Sequence, residues 1–332
     1  MENLVGMSQL CSLDDDALGI ISDGLCNPLE PDILMSFSSA SHGLWAPTQP
    51  VRQQLRADHE AAAALCRKAG MRSCKELREA KMIHWHGYYF TAADLVTLGS
   101  LVSVLPVLNM LSLADIPASC YHAPSHPLAP TVHDGVQRLA ERLDVSTLPA
   151  LTALTLSVMH VGDTGASALA AALGRGALPR LRNLSLMGSA LGNAGLVALA
   201  PALRQLPGLE AIDLGGNPVG DEGISALLAP PLAASAPPPP TVGLAKLKVL
   251  ILENIQITDA GCAALASVID NGALPALEQL GLQQEEPWTA ASPAAVDAVL
   301  QVLVRACHRH HTKAHSECRM CWQYGPTQVP HS

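Results

Sequence analysis

The fold class that the sequence predicts is an α/β solenoid, a linear array of strand-plus-helix units. The first observation behind this prediction is a repeated motif, Leu-x-x-Leu-x-Leu, in which one copy has Ile at its second apolar position. It begins at Leu151, Leu181, Leu209, Leu247 and Leu277, at intervals of 30, 28, 38 and 30 residues. Self-similarity at a nearly fixed period indicates an array of one supersecondary unit.

The second and third observations are the two hydrophobic periods found inside each unit. The first half alternates apolar and polar residues, as a short strand does, and the second half spaces its apolar residues by four, as a helix does. In the unit that starts at Leu151, Leu154 and Leu156 are therefore predicted to point inward from a strand. Leu169 and Leu173 are predicted to point inward from the following helix.

An Asp-x-Gly or Asn-x-Gly sequence separates the two halves of a unit. Asp163 is followed by Gly165, and the same arrangement recurs at Asn193, Asp221 and Asp259. We expect each Asp or Asn to cap the helix of its own unit by accepting a backbone N–H. The glycine is expected to give the next unit room to approach.

Two further units precede the clearest ones and bring the array to about seven, over residues 72–284. One is Leu77-x-x-Ala80-x-Met82, and the next begins at Leu108. Residues 95–114 contain no charged residue, and such a run is long enough to cross a bilayer. The repeat frame instead divides this run into a helix and a following strand, so no membrane span is predicted.

The length and pattern of the units resemble the ribonuclease-inhibitor class of leucine-rich repeats, in an alanine-rich form, over residues 77–282. This resemblance implies a right-handed horseshoe with a parallel sheet on its concave face and helices on its convex face. Such repeats usually carry Asn or Cys eight residues after the first leucine, and here only Asn217 fits. Met159, Ser189 and Ile255 stand at the other turns, which are therefore expected to be less well tied.

Both ends of the array are predicted to be helical. Residues 1–70 read as an N-terminal cap, and residues 287–306 as a closing helix with Ser292 at its N-cap and Pro293 at its first position. Residues 12–45 also resemble an F-box in outline, although its usual Leu-Pro opening is absent. That resemblance implies docking to a Skp-type ubiquitin-ligase adaptor. We favour the simple cap because the open end of a repeat array needs one for solubility.

Composition narrows the class of partner and the compartment. The net charge is −9 and the 20 basic residues are dispersed, so the chain lacks the electrostatic footprint of a nucleic-acid-binding protein. Nine cysteines in 332 residues are too few and too irregularly placed for a disulfide framework. Residues 1–10 do not read as a signal peptide. We therefore expect reduced thiols and a cytoplasmic location.

The tail, residues 307–332, contains the only close cluster of metal-ligand residue types. Cys318 and Cys321 supply two thiolates at zinc spacing, and His315, His311 or Cys307 could complete a tetrahedron. A second separated ligand pair and a framing turn are missing. We therefore favour a flexible tail that binds metal only opportunistically, and predict no metal site and no cofactor.

Two insertions lengthen the array, at residues 116–133 and around the proline run 237–240. A proline run can serve as a ligand for aromatic-lined grooves. A surface loop is the preferred interpretation because lengthening a loop costs little free energy.

The segment His84 to Phe90 holds four of the chain's ten aromatic residues. It could form a binding lip, or its rings could fill the space beneath the N-terminal cap, which is the interpretation that we favour. We place His84 and His86 on opposite faces of the strand and so expect no joint metal site.

The sequence contains no nucleophile elbow, P-loop or dinucleotide fingerprint, so an enzyme is not expected. We predict a protein-interaction scaffold that binds another protein with its concave face and with the segment 84–90. The predicted partner-binding residues are Lys81, Ile83, Trp85, Tyr88, Thr155, Asn183, Met187, Asp213, Ile251 and Glu253. The alternatives are an F-box-type substrate receptor of a cullin-RING ubiquitin ligase, and a GTPase regulator of the Ran-activator kind, which rests on the repeat type alone.

Overall fold

A single parallel sheet with helices along one side forms the body of the protein. The computed structural model describes residues 15–40, 42–114, 133–228, 244–283 and 291–310. Within these residues seven parallel strands pair in the order in which they follow one another along the chain. The strands are β1 (Met82–His86), β2 (Met110–Ala114), β3 (Ala153–Ser157), β4 (Asn183–Ser185), β5 (Ala211–Asp213), β6 (Val249–Ile251) and β7 (Gln279–Gly281).

Helices precede the sheet and follow each of its strands. Those before the sheet are α1 (Asp15–Leu25), α2 (Asp32–Ser39), α3 (His42–Trp45), α4 (Gln49–Lys68) and α5 (Cys74–Glu79). Those after β1 to β7 are α6 (Ala92–Leu101), α7 (His133–Glu141), α8 (Gly162–Gly174), α9 (Asn193–Gln205), α10 (Asp221–Leu228), α11 (Asp259–Asp270) and α12 (Pro293–His310). The predicted fold class, an α/β leucine-rich-repeat solenoid, is confirmed.

The repeated leucines stack in register to make the core. Leu111, Leu154, Leu184, Ile212 and Leu250 pair successively across the sheet, and each is at most 3% exposed. Burying one such side chain contributes roughly 1.5–3 kcal/mol, so a regular aliphatic column can stabilise the array without aromatic residues.

The first unit has a different register from the one predicted. Ile83 pairs with Leu111 and Trp85 pairs with Leu113, so these two residues take the core positions that were assigned to Ala80 and Met82. Leu77 lies in the short helix α5 instead. The shift of three residues buries Ile83 and Trp85, and large apolar side chains gain the most from leaving water.

The apolar run at residues 95–114 divides as predicted. Its first part completes α6 and its last part is β2, with a short 3₁₀ helix at Val102–Val104. Among the described helices, none is both long and apolar enough to cross a membrane.

The Asp and Asn residues between strand and helix do not cap their own helices, which corrects the prediction. Asp163 lies in the first turn of α8, and its Oδ1 accepts N–H groups from Gly192 (2.8 Å) and Gly195 (2.9 Å) at the start of α9. Asn193 Oδ1 likewise accepts from Gly220 and Gly223 at the start of α10. Each of these side chains therefore satisfies the unpaired N–H groups of the next helix, which ties neighbouring units together.

The glycine of each Asp-x-Gly sequence makes room for the preceding unit. A Cβ at Gly195 would lie 2.5 Å from Asp163 Oδ1, and one at Gly261 would lie 2.1 Å from Asp221 Oδ1. The expectation of a close approach is right, but its direction is the reverse of the one expected.

Later units use a hydroxyl as a relay. Asp221 Oδ2 accepts from the Oγ1 of Thr258, which in turn accepts the N–H of Ala260 in α11. Asp259 accepts the N–H and the Oγ–H of Ser292 at the start of α12. The last helix is therefore attached by the same device that links the units before it, and it begins at Pro293, where the sequence predicts its first residue.

The turn asparagine is fully buried and ties two units together. Its Oδ1 accepts the N–H groups of Ser189 and Leu191, and Asn217 Nδ2 donates to the carbonyls of Leu186 (2.8 Å) and Leu214 (2.8 Å). At the neighbouring turn Ser189 Oγ donates to the carbonyl of Leu156 at 2.5 Å. A serine therefore takes over part of the role that the sequence pattern leaves without an asparagine.

The N-terminal helices form a small core of their own. Leu18, Leu34, Leu44 and Leu55 are each at most 5% exposed and lie outside the continuous core of the array. The C-terminal part of α4 joins that larger core through Leu65 and neighbouring residues.

The tail and both insertions lie largely outside the described residues. This applies to His315, Cys318 and Cys321, to the proline run 237–240 and to residues 116–132. Cys307 belongs to α12, but its side chain is outside the described part of the chain. The predictions made for these residues stay predictions.

Candidate functional site: the concave face of the sheet

The concave face consists of side chains that alternate with the buried leucines along each strand. It forms three columns that run across the sheet. From β1 to β7 the first column is Met82, Met110, Ala153, Asn183, Ala211, Val249 and Gln279, and the second is His84, Ser112, Thr155, Ser185, Asp213, Ile251 and Gly281. The third column, at the ends of the strands and just beyond them, is His86, Ala114, Ser157, Met187, Gly215, Glu253 and Gln283.

Six of the predicted partner-binding residues lie in these columns. Asn183 is exposed, and the other five are partly exposed, namely Thr155, Met187, Asp213, Ile251 and Glu253. Whether these residues contact a partner stays a prediction. Their placement follows from a correct repeat frame in the units after β2.

Three residues predicted from the first unit are placed elsewhere. Ile83 is 1% exposed and Trp85 is 3% exposed, so neither is available to a partner, and their assignment to a binding surface is wrong. Lys81 precedes β1, and its carbonyl accepts N–H groups from Asn109 and Met110. It belongs to a column at the edge of the sheet and not to the concave face.

The same register shift brings Met82, His84 and His86 onto the concave face, and sequence reasoning missed all three. Met82 is 56% exposed and His84 is also exposed. A signal was present, since Ile83 and Trp85 are two residues apart and are bulkier than Ala80 and Met82. The shorter interval of 28 residues to the next unit also matched the period better.

The segment 84–90 combines the two roles that the sequence left open. Trp85 and Phe90 are buried with their ring centres 5.5 Å apart, which fills space in the core. Tyr88 is 36% exposed and Tyr89 is 68% exposed at the turn after β1. Tyr89 has a φ of 50°, which is uncommon for a bulky residue and holds its side chain at the surface.

A row of polar contacts crosses the centre of the face. Ser157 Oγ lies 3.4 Å from Ser185 Oγ, and Ser185 Oγ donates to Asp213 Oδ2 at 2.9 Å. The N–H of Gly215 donates to Asp213 Oδ1 at 3.0 Å. Burial raises the pKa of the Asp213 carboxyl, and these two hydrogen bonds oppose that change only in part.

Asp213 has no cationic side chain within ion-pair distance among the described residues. Glycines beside it keep the surface low. A Cβ at Gly215 would lie 3.3 Å from Asp213 Oδ1, and one at Gly281 would lie 2.8 Å from Glu253 Oε1. The two carboxylates therefore flank shallow depressions whose sides include Ile251.

Charged residues line the edge of the sheet at which the strands begin. Glu210 pairs with Arg182 at 3.2 Å and with Lys248 at 3.0 Å. These ion pairs are exposed and contribute at most about 1 kcal/mol each. They neutralise one another, so the uncompensated charge lies on the concave face.

The described residues include no group of three or more His, Cys, Asp or Glu side chains placed to hold a metal ion. The described thiols of Cys26, Cys66, Cys74 and Cys262 are unpaired. An open groove of about 540 Å³ lies on the convex side between α7 and α8, lined in part by Glu141, Asp163 and Arg175. Because Asp163 already binds two N–H groups of the next unit, this groove is a poor candidate for a binding site.

Comparisons with known proteins agree with this fold. A family model described as Leucine Rich repeat matches residues 207–228. Comparison with curated protein sequences finds no match.

Solved structures with a similar course of the chain include three that we report. The second actin-binding site of leiomodin-1 is 14% identical with a TM-score of 0.38, covering 59% of this chain and 98% of that one. The tropomodulin C-terminal domain of Caenorhabditis elegans is 16% identical with a TM-score of 0.37, covering 55% and 97%. An internalin of Listeria monocytogenes is 14% identical with a TM-score of 0.22, covering 75% and 81%. From its own strand order and register, together with the matched repeat, the chain is a leucine-rich-repeat solenoid.

Proposed function

We propose that this protein is a non-enzymatic scaffold that binds another protein on the concave face of its sheet. The observation that carries the proposal is Asp213, a partly buried carboxylate at the middle of the face with no cationic partner among the described side chains. A carboxylate in that position costs stability unless a counter-charge reaches it. We infer that the partner supplies a Lys or Arg side chain to Asp213.

Two features of the surroundings support a protein as that partner. The face extends over seven strands, and a concave surface of that extent suits a protein chain better than a small molecule. At its N-terminal end, Met82, Tyr88 and Tyr89 expose residue types that are enriched in interfaces. The energy of binding would then come from a desolvated charge pair at the centre and from apolar contacts at one end.

Site-specific photo-crosslinking in the full-length protein tests this proposal. A benzophenone side chain at Asn183, which is exposed on the concave face, is expected to capture a defined partner. The same group at Thr164, which is exposed in α8 on the convex side, is the matched control. The substitution Asp213→Lys is expected to abolish capture at Asn183, and equal capture at both positions or insensitivity to Asp213→Lys would contradict the proposal.

A second candidate function is the F-box-type substrate receptor. The observation in its favour is that the N-terminal helices carry a separate core and expose Ile20 (75%) and Ile33 (47%). Exposed large apolar side chains on a small helical unit are suited to docking. Binding of the full chain to a Skp-type adaptor, lost in Ile20→Asp and Ile33→Asp, is the result that this candidate requires.

The third candidate, a GTPase regulator, still has only the repeat type behind it. An unchanged rate of GTP hydrolysis by a Ran-type GTPase in the presence of the protein would remove it. The cytoplasmic location is likewise a proposal, which imaging of the tagged full-length protein tests.

A further inference from the structure

His84 and His86 lie side by side on the concave face, contrary to the expectation that they face opposite sides of the strand. Residues two apart on a strand share a face. The centres of the two imidazole rings are 6.1 Å apart, with the ring planes at 81°. This pair is independent of the carboxylate on which the proposed function depends, because it lies on β1, four strands away from Asp213.

The spacing of the rings suits a shared metal ion. A histidine nitrogen binds a zinc-like ion at about 2.0–2.1 Å, which places each ring centre roughly 3 Å from the ion. Two rings on one ion then have centres up to about 6 Å apart, depending on the angle at the metal. The observed separation therefore requires little movement of either side chain.

A hydrogen bond orients one of the two rings. Nε2 of His86 lies 2.7 Å from Oγ of Ser112 on the neighbouring strand. Metal-binding histidines commonly use one ring nitrogen for such a partner and the other for the metal, because this fixes the tautomer and the ring direction. Ser112 is 5% exposed, so the partner itself is held in place by its surroundings.

Protonation does not compete with a metal at His86. Burial, and to a lesser extent the neighbouring His84, lower the pKa of His86 below its ordinary value of 6.5. The neutral imidazole that a metal requires therefore predominates at neutral pH. His84 is exposed, so an ion can reach the pair from solvent.

We propose that His84 and His86 together bind a divalent first-row transition-metal ion, with Ser112 positioning His86. Two protein ligands leave coordination positions for water or for a side chain of a bound partner. Imidazole ligands favour copper, nickel and zinc over magnesium, and the affinity is expected to be highest for Cu²⁺.

Carbethoxylation by diethyl pyrocarbonate, read by peptide mass spectrometry, tests the site in the full-length protein. This readout separates His84 and His86 from the Cys- and His-containing tail, which could bind metal independently. Cu²⁺ in a non-coordinating buffer is expected to slow modification of both histidines by at least about fivefold, while Mg²⁺ has no effect. His59, which contacts the carbonyl of Pro28, serves as the internal reference.

Substitutions separate a joint site from binding by one imidazole. In His84→Asn, protection of His86 by Cu²⁺ is expected to disappear, and in Ser112→Ala the concentration for half-protection is expected to rise a few-fold. Circular dichroism of each variant checks that the fold is kept. Protection of neither histidine, protection of only one in the wild-type protein, or full protection of His86 in His84→Asn would overturn the proposal.

Discussion

The first unit and the central units solve the same structural problem in different ways. In the first unit, Thr91 and Asp94 cap α6 from within the unit through a reciprocal pair of hydrogen bonds. In the central units, the helix starts receive side chains from the preceding unit, as Gly192 and Gly195 do from Asp163. The first unit is therefore locally complete, whereas the central units depend on their neighbours.

Their cores differ in the same way. The first unit buries Trp85 against Phe90, and large rings fill a space that has no preceding repeat to define it. The central units bury aliphatic side chains in matching rows, with glycine where one unit approaches another closely. Stability is expected to be a local property at the start of the array and a property of interfaces further along.

The largest effect is expected from Asn217→Ala in the central units. The substitution leaves two N–H groups and two carbonyls of buried turns without partners, which we expect to cost about 3–5 kcal/mol. Chemical denaturation followed by circular dichroism measures the loss. Thr91→Ala in the first unit is the control and is expected to cost about 1 kcal/mol. Equal losses in the two variants would remove the distinction between local and shared stabilisation.

Next in size is Gly195→Ala, which places a methyl group against Asp163. Its Cβ would lie 2.5 Å from Oδ1 and 2.9 Å from Cα of that residue. We expect a loss of about 2–3 kcal/mol, because the two helices must move apart. Gly99→Ala in α6 is the matched control, since its Cβ would meet Arg142 at 3.4 Å and the change is expected to be within about 1 kcal/mol of zero. Thermal unfolding of both variants compares them, and a neutral Gly195→Ala would show that the helices are not closely joined there.

A smaller loss is expected from Asp163→Ala, which removes the acceptor for two N–H groups at the start of α9. Capping contacts of this kind contribute about 0.5–2 kcal/mol. Asp163→Asn keeps an acceptor oxygen and should retain much of that stability, as Asn193 does in the next unit. Hydrogen exchange of the Gly195 amide is expected to quicken in Asp163→Ala and to change little in Asp163→Asn. Unchanged protection in the alanine variant would refute the link between units.

The smallest effect is a gain of stability in Asp213→Asn. The pKa of Asp213 in the folded protein lies above its ordinary value of 3.8, so folding favours the protonated carboxyl. Its contribution to stability therefore falls as the pH rises through the folded pKa, and the charged form costs stability at neutral pH. We expect Asp213→Asn to stabilise the protein by about 0.5 kcal/mol at pH 7, with the advantage shrinking below pH 4.

Denaturation midpoints of the two proteins at pH 7 and pH 3 give the comparison. Glu278→Gln, at the exposed edge of the sheet, is the control and is expected to be neutral. A destabilised Asp213→Asn at pH 7 would mean that the carboxylate already has an adequate counter-charge.

The sequence predicts most of the array because each unit repeats the same hydrophobic period. Wherever the motif is clear, as from Leu151 onward, the inward-facing and outward-facing residues follow from alternation along a strand. In the first unit the motif is imperfect, and Leu77 suggested a frame three residues away from the one that buries Ile83 and Trp85. A shift by an odd number of residues exchanges the two faces of a strand, so this one step exchanged buried and exposed residues there.

Period, pattern and turn residues by themselves determined the fold class of this protein, because a hydrophobic repeat has to be buried by stacking against its own kind. They also placed Thr155, Asn183 and Asp213 among the residues of one face. Only the tertiary structure decided which helix each Asp or Asn caps, because Asp163 is close in space to Gly195 although 32 residues separate them in sequence. Only the pairing of β1 with β2 decided that His84 and His86 face the concave side, because that register depends on which side chains gain most from burial.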